Sequence, residues 1–549
     1  MEGGRIFKTI VKGWPLSHWP SVMLLIGYPV FWLEMAGGWA FDGQTTPLAA
    51  GLLAGVTIAR LWRDRGALGA WVRTLGARWR AMPVGTRRLG LVFGLAAVGL
   101  LGVALNAALL PPHLIQESDA LNYHYTLPRQ HLIIRSFRHI SWAADDLFLL
   151  PVQFALAPFW FVTALPNKVP QWFFLVGLLA ILMKLARRWS GGDDRAAVLT
   201  GLAVLGAHHV GVQMGTAMLD LVLAYLLFAA LDSFQEGRWL LGTLEASFLL
   251  WSKSFMPVQL GLVGLAMALA CWAARAAGWH VEGAARIHDL WRRKGRRILA
   301  AFGVGGLVIG GPFLAKATYY SGTPVFPILT GIVPWPRYAD SPAHWQSIQA
   351  SSSAFVRVAR GYGEGRSFGA FLRHLWIVAV PTRGVNNAYD YPLGLVYLLV
   401  LGPFMGQVLR AARRKTVALG ALFIGASWGL WWFGSQQSRY LYGPVLLMTV
   451  LVLADRSWRR SPVLAGCLLA AVGLTAVSVT RSHRPDWGRP ALAVLRQKDR
   501  DVLMMNQVYQ RTGRRGFVDL TFRDTPFARF PIRAVKEQLP HTLAVDALN

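Results

Sequence analysis

Charge is what this sequence has least of. Only 15% of its 549 residues are Asp, Glu, Lys or Arg, against about 25% in soluble globular proteins. A soluble chain of this length would form roughly three or four domains, and these charges are too few to coat them. A purely water-soluble enzyme is excluded. Cysteine is nearly absent: Cys271 and Cys467 both sit in apolar stretches, so neither a disulfide framework nor a cysteine metal site is available. Acidic residues are the scarcer charge, 27 against 56 Lys and Arg, for a net charge of +29. No period of roughly 20–50 residues recurs, so there is no sign of a repeat array.

What remains is apolar. Hydrophobic residues make up 54% of the chain, in blocks that reach or approach the length needed to cross a bilayer. The blocks lie near 20–38, 46–62, 89–110, 169–187, 195–213, 218–234, 238–253, 255–275, 298–317, 391–410, 417–434, 440–455 and 462–480. They predict an all-α polytopic membrane protein with about thirteen spans. The short ones, 46–62 and 238–253, are the weakest.

Basic residues fall between the blocks. Arg60, Arg63, Arg65, Arg73, Arg78, Arg80, Arg87 and Arg88 share one segment, and Arg275, Arg286, Arg292, Arg293, Lys294, Arg296 and Arg297 share another. Arg187–Arg188, Arg410–Lys415 and Arg456–Arg460 behave likewise. Cytoplasmic loops are enriched in this way, so topology accounts for the charge and nucleic acid is not an expected partner. Arg5, Lys8 and Lys12 precede the first apolar run without a small-residue cleavage site, the pattern of a retained signal anchor.

Thirteen crossings with the N-terminus inside put every basic segment in the cytoplasm. Segments 111–168, 318–390 and 481–549 then face the other side, as two large loops and a C-terminal tail or small domain. Residues 1–88 read as two extra spans with a basic loop, and 89–480 as the membrane core. The apolar piece Phe148 to Leu165, broken by Pro151 and Pro158, is expected to lie along the interface, because counting it as a span would invert every later loop. The second loop opens with a turn-rich stretch (Gly322, Pro324, Pro327, Pro334, Pro336), followed by amphipathic stretches near 342–360 and 367–379.

Polar groups in or beside spans are costly and are functional candidates by default. On the outer face these are Glu117 and Asp119, in the run Gln116-Glu117-Ser118-Asp119-Ala120-Leu121-Asn122-Tyr123-His124, and Asp220, which opens a span. Asp119 also suits a helix N-cap, Asp145–Asp146 a solvated helix start, and Glu34 a local pairing inside the first span. Lys253, Lys316 and Arg439 close or open spans at the same face, where they could hold a lipid phosphate or anchor helix ends among headgroups. His113, His124, His131 and His139 cluster in the first loop, but His124 and His131 are two helical turns apart, too far for one zinc ion. The pairs Gly51/Gly55 and Gly306/Gly310 are helix-packing signals. Trp335, Trp431 and Trp432 are aromatic faces on which a sugar could stack.

The run Glu117-Ser118-Asp119, just beyond a span, resembles the acidic motif of the GT-C glycosyltransferases. The string Asp119-Ala120-Leu121-Asn122-Tyr123-His124 with Pro128 is similar to a signature of a bacterial branch related to protein O-mannosyltransferases and aminoarabinose transferases. Asp220-Leu221-Val222-Leu223-Ala224, Trp251-Ser252-Lys253-Ser254, Gly322-Thr323-Pro324-Val325-Phe326-Pro327 and Ser438-Arg439-Tyr440-Leu441 follow in that branch's order. Departures are two extra N-terminal spans, Thr323 for a common Asn, and Ser254 for an expected Tyr.

The resemblance implies sugar transfer, with inversion, from a polyprenyl-phosphate carrier to an acceptor hydroxyl on the extracytoplasmic face of a bacterial plasma membrane. It implies Asp119 as base, Glu117 as its catalytic neighbour, and Asp220, Tyr123, His124, Lys253, Lys316, Arg439 and Tyr440 as substrate-binding residues. Relatives differ in using a divalent cation at the acidic motif, so that cofactor stays open. Two other readings stand beside this one: a ligase or polymerase using polyprenyl-diphosphate glycans, and a lipid or solute transporter. A noncatalytic assembly subunit would be indifferent to Asp119→Asn.

Overall fold

A computed structural model of the chain describes residues 16–40, 44–63, 65–110, 123–140, 144–162, 167–328, 342–380 and 388–483. Glu117 and Asp119, His113, Trp335 and the tail after residue 483 lie outside the described residues. The chain is helical almost throughout. In order it forms α1 (Trp19–Gly37), α2 (Leu48–Arg63), α3 (Arg65–Ala81), α4 (Val84–Ala108), α5 (Thr126–Ile134), α6 (Pro151–Trp160) and α7 (Val169–Trp189). Next come α8 (Asp194–Gly206), α9 (Asp220–Gln235), α10 (Trp239–Trp251), α11 (Met256–Ala276), α12 (Ala284–Gly305) and α13 (Gly311–Ser321). Then follow α14 (Pro342–Arg360), α15 (Phe368–Ile377), α16 (Leu395–Arg413), α17 (Leu419–Phe433), α18 (Tyr442–Ala454) and α19 (Pro462–His483).

Each expected span coincides with a helix, but the helices are of two kinds. Among the described residues, seven stretches are long and apolar enough to cross a membrane: α1, α4, α7, α11, α16, α19 and the run Ile287–Ser321. The other six, α2, α8, α9, α10, α17 and α18, are shorter. Helices α8, α10 and α18 have 13 residues each, about 20 Å at the α-helical rise against a hydrocarbon core of about 30 Å.

Position explains the difference. Helices α8, α9 and α18 are almost wholly buried by protein. The outer helices instead expose apolar side chains, such as Leu91, Leu95 and Val98 on α4 and Leu262, Leu265, Leu269 and Trp272 on α11. An apolar belt this extensive is unsuited to water and is expected of a surface facing lipid. The chain is an all-α membrane protein.

The two ends of the bundle differ. At the end carrying the basic segments, Asp232 near the close of α9 pairs with His18, Lys184, Arg188 and Arg238. His18 also meets Glu245 at 2.7 Å. Burial opposes a charge on His18, yet its bonds to Asp232 and Glu245 outweigh that and raise its pKa above 6.5. A short parallel pairing of His280–Glu282 with Thr416–Ala418 joins two basic segments at one end, as the expected alternation of spans requires. Asp220 stands 12 residues before Asp232 on α9, about 18 Å away along the helix, so it belongs to the opposite end.

Two expectations need correction. Helix α6, expected to lie along the interface, is enclosed: all ten of its residues are buried. It packs on α1 so closely that a Cβ on Gly27 would fall 1.9 Å from the carbonyl oxygen of Ala155. The two glycine pairs also separate. Gly310 lies against Trp251, where a Cβ would meet the ring at 2.7 Å, whereas Gly51 and Gly55 have nothing within 4 Å.

Candidate active site

Four elements converge at the end of the bundle opposite the basic segments. The first turn of α9 brings Asp220, the residues after α10 bring Lys253, the segment Ser438–Leu441 brings Arg439 and Tyr440, and the stretch after α8 brings Gln213. Lys253 Nζ donates to Asp220 Oδ1 at 2.8 Å and Gln213 Nε2 to Oδ2 at 3.0 Å. Arg439 Nε faces Asp390 Oδ2 at 3.6 Å. Its segment is fixed by Ser438 N–H donating to Tyr389 O at 2.7 Å and Trp431 Nε1–H to Gln437 O at 2.8 Å. Tyr440 stacks edge-on against Phe255, with ring centroids 4.7 Å apart, and Lys253 Nζ lies 6.0 Å from the Tyr440 ring.

A groove starts here, about 590 Å³ of atom-free space when the solvent at its opening is included, its polar end formed by Asp220, Arg439, Tyr440 and Tyr442. Away from them its walls are mainly apolar, with Leu223 and Leu227 of α9, Leu260 and Val263 of α11 and Phe423 of α17, interrupted by Gln259 and Ser427. A charged mouth thus continues into an apolar trough between helices.

The segment between α4 and α7 reaches the same place. Leu149 N–H donates to Ser254 Oγ at 3.1 Å, one residue beyond Lys253. Tyr123 packs edge-on against Phe148 and beside His124. His124 is buried and its Nδ1 lies 3.1 Å from Gln153 Nε2 on α6. Phe148 also touches Phe326 of the Gly322–Pro327 turn. That turn can follow α13 directly because Gly322 takes a left-handed φ of 70°, which glycine adopts without steric cost.

Lys316 departs from expectation. It was expected at the outer interface beside Lys253 and Arg439, but it is buried and donates to Asp146 Oδ1 at 2.8 Å. Asp146, expected as a solvated helix start, has no exposed surface. His131 Nε2 meets its Oδ1 at 2.7 Å, and His139 Nδ1 and the Ile140 N–H meet its Oδ2 at 3.2 and 2.8 Å. The two histidines converge because α5 stops at Ile134 and Arg135 turns the chain back with a φ of 51°.

Burial alone would raise the Asp146 pKa, but the Lys316 ammonium and His131 beside it hold the carboxyl well below 3.8. The folded state therefore favours the carboxylate. Its stabilisation is complete above the ordinary carboxylate pKa and fades as pH falls through the lower folded value. Asp146→Asn, which leaves Lys316 buried without its counter-charge, is expected to cost about 3–5 kcal/mol. The check is a melting curve in detergent: the variant melts lower than wild type near neutrality, and the gap narrows in acid.

No family model, curated protein or solved structure matches the chain. Its function has to be argued from the groove and the residues around it.

Proposed function

We propose that the chain is a membrane glycosyltransferase of GT-C type. It moves a sugar from a polyprenyl-phosphate carrier to an acceptor hydroxyl, with inversion, on the extracytoplasmic face of a bacterial plasma membrane. The topology that goes with this reading has thirteen crossings, an N-terminus in the cytoplasm and a C-terminus outside. The observation that carries it is the groove. A polyprenyl phosphate is a compact anion on a long apolar tail, and the groove offers Arg439 and the neighbouring Lys253 at its mouth and an apolar trough below.

The chemistry asks little more of the protein. The phosphate is already a good leaving group, so cations that take up its developing charge accelerate departure. A carboxylate must accept the acceptor's proton, the role given to Asp119, with Glu117 beside it. Asp220, held by Lys253 and Gln213, is fixed as an acceptor at the mouth. Lys253 is thereby partly neutralised and Lys316 is engaged by Asp146; Arg439, which faces Asp390 at 3.6 Å, lines the groove itself and is taken as the principal phosphate ligand. His124 and Tyr123 line the approach from the first loop.

The test uses purified protein in liposomes with labelled polyprenyl-phosphate sugars and the matching polyprenyl-diphosphate sugars. Release of polyprenyl phosphate from the first set alone is expected. Turnover confined to the diphosphate set would favour the ligase or polymerase. No turnover with either, in folded protein, would favour transport.

A further inference from the structure

Three buried polar atoms have no hydrogen-bond partner among the described residues: Tyr442 Oη and Gln213 Oε1 beside Asp220, and His209 Nε2 on a ring packed against Tyr442. Their residues are 1%, 4% and 0% exposed. Leaving such groups unpaired costs about 1–3 kcal/mol each, so three in one place need an explanation.

The character of each atom follows from its neighbours. Asp220 accepts from Lys253 through one oxygen, so the amide NH₂ of Gln213 must face the other oxygen, and Gln213 Oε1 is turned away as an acceptor. His209 Nδ1 lies 3.0 Å from the carbonyl of Leu393, which can only accept. Nδ1 therefore carries the proton and Nε2 is left as an acceptor. The His209 ring lies against Tyr442, with centroids 4.5 Å apart. Tyr442 lines the groove beside Asp220 and Arg439. The set offers two acceptors and one hydroxyl, while the nearby charge of Asp220 is met by Lys253. It suits a neutral group carrying several O–H donors.

We infer that Tyr442, backed by Gln213 and His209, is a hydroxyl-reading residue beside Asp220 that meets the sugar of the carrier while Arg439 takes its phosphate. This rests on the transferase reading above. Tyr442 is the residue that touches the groove; Gln213 and His209 complete the polar wall behind it.

The test is equilibrium binding in detergent, followed by intrinsic tryptophan fluorescence, with two probes: decaprenyl phosphate and decaprenyl-phosphate-mannose. Tyr442→Phe removes one hydroxyl and keeps the ring. It is expected to weaken the mannosyl probe about tenfold, leave the bare phosphate unchanged, and melt no lower than wild type. Equal binding of both probes by wild type and variant would overturn this role for Tyr442. So would an equal loss of both, or a lower melting temperature with unchanged binding. Arg439→Ala separates the two claims, because it should weaken both probes. If it weakens neither, the phosphate does not sit at Arg439 and the transferase reading fails, whatever Tyr442→Phe does to the mannosyl probe.

Discussion

Asp119→Asn is expected to lower kcat by about three orders of magnitude, within the range for loss of a positioned general base, with donor binding nearly unchanged. The amide matches the carboxylate in shape but cannot take the acceptor's proton. A hydroxyl attacking the anomeric carbon must shed that proton as the bond forms, and the phosphate leaves on the opposite side of the sugar, out of reach of it. The loss should therefore appear in kcat and not in the affinity for carrier. A variant that lost both equally would indicate a role in holding the loop, such as the N-cap that Asp also favours.

Arg439→Ala should be the next largest effect, a fall in kcat/KM of about 100-fold or more. Removing one donor to a developing anionic oxygen typically costs that much. The competing role for Arg439 is structural, through Asp390 3.6 Å away. Asp390→Ala separates the two: if Arg439 acts on phosphate, losing its carboxylate neighbour leaves activity far above that of Arg439→Ala. Arg439→Lys should recover only part of the rate, since an ammonium lacks the planar fork that matches two phosphate oxygens.

Much of the fold was legible in the sequence because hydrophobic length and charge placement are one-dimensional properties. Each predicted span has a helix, and His18, Lys184, Arg188 and Arg238 gather at one end, as alternation of spans requires. Whether a helix crosses the bilayer alone was not legible. Burial by neighbours lets the 13 residues of α8 or α18 be short, and hydropathy does not distinguish protein from lipid as the apolar neighbour. Helix α6 shows the same ambiguity, since it reads as interfacial and is enclosed.

The site divides similarly. Asp220, Lys253 and Arg439 were marked because they are polar at span ends, Tyr440 by the resemblance, and they meet. Lys316 was marked for the same reason, and its partner Asp146 was not. The two meet only in the packed fold, and the reversal at Arg135, which brings His131 and His139 to the same carboxylate, is a backbone event without a strong local sequence signal. Tyr442 and Gln213 were missed because each is unremarkable alone, and only their unpaired atoms beside Asp220 single them out, while His209, whose neighbour His208 points elsewhere, enters through its contact with Tyr442. The Ser438-Arg439-Tyr440-Leu441 string did lead to within one residue of Tyr442.

The central claim is that sugar passes from a lipid phosphate in this groove to an acceptor hydroxyl, with Asp119 as base. The most direct measurement compares single-turnover release of polyprenyl phosphate from a labelled carrier sugar by wild type and Asp119→Asn, both in liposomes. Release by wild type, reduced about 1,000-fold in the variant with the carrier still bound, is the predicted result. Equal release by the two proteins would contradict the choice of base, and no release by folded wild type would contradict the reaction itself.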